Sequence, residues 1–149
     1  MLQRVSTPSH ADLVEAFGPD TGHLPDAEAV GSTADGWPAV LDALGRSGWP
    51  TSPDVAAAPD TDENPTLAVH PLPTVQVNFF PSWGYVAFDI DLREIVDQHS
   101  TDAVLAVIAL VGRSTGKPVV LMHEGGGSES AVLAYDPSTD EHRLLRERP

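Results

Sequence analysis

The chain has 149 residues, a net charge of −14 at pH 7 and no cysteine. Its length suits one domain with a core that needs no staples. The missing thiols exclude disulfides, thiolate nucleophiles, thiolate zinc sites and cysteine-ligated iron–sulfur clusters.

The N-terminal stretch MLQRVSTPSHADL has no long apolar run and does not read as a signal peptide. Ser9 can cap a short helix, with Asp12 as the reciprocal partner of a capping box. Leu13, Val14, Ala16 and Phe17 form its apolar side, and Gly18-Pro19 ends it. Residues 18–35 are rich in Gly, Pro, Asp and Ala, lack periodicity and read as a loop. A second helix opens at Gly36-Trp37-Pro38, with Asp35 as its expected cap. Val40, Leu41 and Leu44 make its buried stripe, and Gly45 or Gly48 stops it. Trp37 and Trp49 flank this helix and are expected to pack it onto a sheet.

Residues 50–66 contain four prolines and the acids Asp60, Asp62 and Glu63. They read as a long loop. The chain is expected to be a single α+β domain over residues 1–149, and an internal boundary, if there is one, falls at this loop. Residues 1–66 hold eleven Asp/Glu against two Arg, a net −9, so the first part is the more acidic.

Residues 67–72 read as a strand whose prolines place its far end at a sheet edge. Residues 74–91 follow as the central hairpin. Val75, Val77 and Phe79 alternate with Gln76, Asn78 and Phe80; Val86, Phe88 and Ile90 alternate with Tyr85, Ala87 and Asp89. Both arms carry the period-2 pattern of a strand with one apolar face. Pro81-Ser82-Trp83-Gly84 is the expected four-residue loop. Asp91 is expected to cap a helix with Glu94 as its partner. That helix either runs unbroken over 92–112 or breaks near residues 98–101 and restarts at Thr101. Residues 119–122 and 131–135 read as strands, and 142–145 as a short last one. The fold class expected is α+β, an antiparallel or mixed sheet of about five strands covered by helices, with an acidic helix-and-loop N-terminal part.

Few groups carry chemistry. Asp89, Asp91 and Glu94 lie close in sequence and could offer oxygen ligands to Mg²⁺ or Ca²⁺. The same residues read structurally as a helix cap and a strand end, and that reading is preferred. Gly112-Arg113-Ser114-Thr115-Gly116-Lys117 lacks the spacing of a phosphate loop and follows a helix where that motif follows a strand. The six histidines show no metal spacing, and no serine sits in a G-x-S-x-G elbow. No catalytic set and no cofactor are implied.

The eight basic residues are scattered, so direct nucleic-acid binding is not expected. The longest apolar stretch, residues 103–111, is too short to span a bilayer. A cytoplasmic, acidic protein-binding module is the preferred reading, with a basic protein as partner. Bacterial immunity proteins, which block a basic toxin by stoichiometric binding, match this profile in physical type only. Trp83 and Tyr85 are the expected anchors; Asp60, Asp62 and Glu63 are the expected steering charges. The alternatives are a small divalent-metal enzyme built on the carboxylate cluster, and a structural or accessory module of a larger complex.

Overall fold

The computed structural model describes residues 8–18, 24–52 and 66–145. Its elements, in chain order, are α1 (His10–Phe17), β1 (Asp26–Ala29), α2 (Trp37–Ser47), β2 (Thr51–Ser52), β3 (Leu67–Leu72), β4 (Val75–Phe79), β5 (Ala87–Asp89), α3 (Gln98–Thr115), β6 (Val119–Met122), β7 (Ala131–Asp136) and β8 (Glu141–Leu144). All eight strands belong to one sheet, in the order β2-β3-β4-β5-β1-β6-β7-β8. Every pairing in it is antiparallel.

The expectation of about five strands is therefore corrected to eight, and of the two expected sheet types, antiparallel or mixed, the sheet is antiparallel. The two strands the sequence hid are β1 and β2. β1 reads Asp-Ala-Glu-Ala and has no β-branched or aromatic residue. It is a strand because β5 and β6 pair with it on either side, and such tertiary context overrides weak local preference. β2 is two residues long and falls inside the stretch read as a loop. One sheet thus takes strands from both sides of residues 53–65.

The α3 helix lies across the sheet, touching β1, β3, β4, β6 and β7. α2 packs beside α3 and sets the buried Trp37 ring edge-on to Phe79, with centroids 6.4 Å apart. α1 sits near the start of α3, where the His10 N–H donates to Gln98 Oε1 at 2.7 Å. The sheet residues facing this layer are buried apolar ones: Val77, Phe79, Phe88, Ala27, Leu121 and Leu133, among others. Their alternation with Gln76, Asn78, Asp89, Asp26 and Glu28 leaves the second face small and polar.

Helix starts follow local chemistry. At α1 the Ser9–Asp12 capping box is present. At α2 the cap position is Gly36 with no side-chain bond; Asp35 instead lies in a short 3-10 turn capped by Thr33. At α3 the cap is Asp97, reciprocated by Ser100, not Asp91 or Thr101. Asp91 caps only a 3-10 turn over residues 92–94. Buried Thr101 spends its hydroxyl on the Asp97 carbonyl at 2.9 Å. No helix among the described residues is long and apolar enough to cross a membrane.

Candidate functional site

The loop between β4 and β5 runs over residues 80–86, longer than the four residues expected. It presents a run of three aromatic rings. Phe80 and Trp83 stack with centroids 4.6 Å apart and planes 16° apart. Trp83 and Tyr85 follow at 5.7 Å and 49°. Trp83 is 38% and Tyr85 40% exposed, while Phe80 is partly buried.

Backbone bonds fix this loop. The Trp83 N–H donates to the Phe80 carbonyl at 3.0 Å, closing a turn. The Trp83 carbonyl accepts from Trp37 Nε1 at 3.0 Å, which ties the loop to the start of α2. The Val86 N–H donates to Ser32 Oγ at 3.0 Å, and the Val86 carbonyl accepts from the Ala29 N–H at 3.0 Å. A ring set held this way loses little conformational entropy on contact, and large aromatic surface is the usual material of binding anchors. Trp37, read from sequence as a packing residue, thus has a second part: its indole N–H positions Trp83.

The three carboxylates of the sequence cluster do not form a common oxygen cage. Both Asp91 oxygens accept from Arg93, from Nε at 2.9 Å and Nη2 at 2.9 Å. Glu94 Oε1 accepts the Gln76 N–H at 2.8 Å on β4. Asp89 Oδ1 accepts from Asn78 Nδ2 at 2.9 Å. Among the described residues, no three His, Cys, Asp or Glu side chains are placed to hold a metal ion.

Asp89 gathers other neighbours that its sequence position does not reveal. It lies opposite Asp26 in the β1–β5 register. Its carboxyl is pushed up, first by burial, then by the negative charges of Asp26, Glu124 and Asp91; the Asn78 bond opposes this. Asp26 Oδ2 accepts the Gly125 N–H at 3.2 Å, and Glu124 Oε1 accepts the Leu24 N–H at 3.0 Å. These carboxylates also serve as turn supports.

Two further constellations are structural. Gly112 of α3 lies so close to Tyr135 that a Cβ would stand 2.4 Å from the ring. The buried Tyr135 donates its hydroxyl to Asp140 Oδ1 at 2.5 Å, and Arg113 reaches the same oxygen at 3.1 Å. His142 Nε2 donates to the Leu105 carbonyl at 3.0 Å. Together these bonds clamp α3 onto β7 and β8. Beside α1 lies an open cleft of about 620 Å³, lined by Glu15, His123, Glu129 and Val132 among others. Ser130 lines it too, but its hydroxyl donates to the Gly127 carbonyl at 2.7 Å and accepts the His123 N–H at 3.2 Å, which makes a turn.

Asp60, Asp62 and Glu63 lie outside the described residues. No known family model, curated protein or solved structure matches the chain.

Proposed function

We propose that this chain is an acidic, cytoplasmic binding module that holds a basic protein by stoichiometric contact, as an immunity protein holds a basic toxin. The observation carrying the reading is the Phe80–Trp83–Tyr85 run, exposed yet pinned through the Trp37–Trp83 hydrogen bond. Supporting it is the net charge of −14, which favours a partner of opposite sign. Trp83 and Tyr85 are the anchors. Asp60, Asp62 and Glu63 are assigned to steering on charge alone.

The test is affinity capture from the native host at low and moderate salt, then calorimetry on the retained basic protein. The expected result is one-to-one binding that Trp83→Ala weakens by about 2 kcal/mol, the range of an aromatic hot spot. Trp83 lies on the surface side of its loop, so the variant should stay folded. Absence of any retained protein, together with saturable turnover of a small substrate, would end the reading.

A further inference from the structure

The helices pack into one core with the sheet face that carries Val77, Phe79, Phe88, Ala27 and Leu121, and the alternate residues form a second face. That second face is ordered into cross-strand rows. One row runs Asn78, Asp89, Asp26 and the buried Met122 across β4, β5, β1 and β6. The next runs Ala87, Glu28, Val120, Ala134, Arg143 across β5, β1, β6, β7 and β8. Cross-strand neighbours of this kind stand about 5 Å apart at Cβ. The side chains flanking Glu28, Ala87 and Val120, are short, and the carboxylates of Asp26, Glu28 and Asp89 are half-buried on this face. The five central strands β3, β4, β5, β1 and β6 contain no Lys or Arg. Arg143 of β8 ends the Glu28 row as a cation at the edge of the face, while over the five central strands the carboxylates dominate. The charges of Asp26, Glu124 and Asp91 add to burial in opposing ionisation of Asp89.

We propose that this second face, centred on Asp26, Glu28 and Asp89, is the docking surface for a basic protein partner, contiguous with the aromatic loop. The inference deepens the binding-module reading and rests on it. Charge decides the occupant. A second copy laid face to face would set each of these carboxylates against its own kind, and like charges opposed across an interface are costly. A partner rich in Arg and Lys meets the opposite situation. Area decides the extent. Seven strand spacings of about 4.8 Å and a height of about 15 Å give a face of about 500 Å². A standard interface takes about 800 Å² from each side. The face alone falls short, and the aromatic loop adjoins it directly, because Ala87 begins β5 where residues 80–86 end.

The test uses the whole chain and a deca-arginine peptide as probe, read by backbone amide shifts at low salt. Saturable shifts are expected at Gln76, Asn78, Ala87, Asp89, Asp26 and Glu28. The double variant Asp26→Asn, Asp89→Asn should weaken the peptide by about tenfold. The double variant Asp42→Asn, Asp102→Asn, changing exposed acids of the helical layer, should stay within about twofold. The amide oxygens can still accept from Asn78 and the Gly125 N–H, and a melting curve checks that the face variant is folded. Shifts centred on the helices or on residues 53–65, or equal weakening by both double variants, would overturn the assignment. The captured basic protein separates this inference from the reading beneath it. Affinity lost with Trp83→Ala but kept with the face variant refutes the face alone. Peptide bound at the face with no protein partner recovered refutes the module and keeps a cation-binding face.

Discussion

Asp89 lies between Asn78 on one strand and Asp26 on the other, half in water, with its carboxyl pushed up by burial and then by Asp26, Glu124 and Asp91. A raised folded-state pKa means that the protonated form fits the fold better. Asp89 therefore adds stability below its unfolded value, near 3.8, and loses that contribution as pH rises through the higher folded value. At neutral pH its charge works against the fold. Asp89→Asn should accordingly raise stability at pH 7 by about 0.5 kcal/mol, the scale of a partly solvated charge contact. The gain should shrink as pH falls toward 4. Urea melts of both proteins at several pH values check this, and a variant less stable at every pH would refute the account. Tyr135 makes the opposite case. Its hydroxyl holds Asp140 below the usual carboxylate range. Tyr135→Phe should cost about 1 kcal/mol by losing that bond, and nuclear resonance titration should find the Asp140 carboxyl moved up. Neither neighbourhood was legible in sequence. The local pattern placed Asp89 on a strand, but its facing Asp26 comes from 63 residues away, and only the register unites them.

Elements were legible where side-chain period and caps agree. The arms of the hairpin alternate strictly, and β4 buries Val75, Val77 and Phe79 as that pattern requires. The Ser9–Asp12 box marks α1 for the same reason. β1 was hidden because alanine and two acids carry no strand preference, yet Ala27 and Ala29 fill the narrow space under α3. The start of α3 was misplaced by competition between caps, since Asp91, Asp97 and Thr101 all qualify chemically. Asp97 prevails with Ser100, whose hydroxyl also accepts the Val96 N–H at 2.9 Å. Gly112 tests how closely α3 sits on the sheet. Ala is the better helix former by about 1 kcal/mol. Its Cβ, however, would stand 2.4 Å from the Tyr135 ring, which is fully buried and cannot retreat freely. Overpacking of this kind costs about 1–3 kcal/mol, so the clash outweighs the propensity gain. Gly112→Ala should destabilise the chain by about 1 kcal/mol net, the clash of about 2 kcal/mol less the propensity gain of about 1 kcal/mol. Gly45→Ala, at an exposed position of α2, should instead stabilise it by up to about 1 kcal/mol. Chemical denaturation of the two variants decides whether packing or propensity governs each site.

For the whole molecule, the excess of carboxylates must act on folding and on association at once. Packing 22 acids against eight bases into one compact chain stores repulsion that the unfolded chain can spread out. The same field, turned outward from the second face of the sheet, should draw a basic partner in. Salt screens both, with a Debye length of about 10 Å at 0.1 M and about 3 Å at 1 M. The two effects therefore carry opposite signs. Raising sodium chloride from about 0.05 to 0.5 M should stabilise the chain by roughly 1 kcal/mol, or about 4 °C in melting temperature. Over the same range the association rate with a basic partner should fall by about tenfold. The dissociation rate should change much less, because it reports contacts at the Trp83 loop that salt does not screen. Rapid-mixing kinetics beside calorimetric melts would read both responses on one sample. A melting temperature that falls with salt would mean that attractive ion pairs outweigh the repulsion. Among the described residues only three such pairs stand out, Arg46–Asp42, Arg93–Asp91 and Arg113–Asp140, each with an exposed arginine. Exposed pairs contribute about 0–1 kcal/mol each, too little to reverse the balance of so large a net charge.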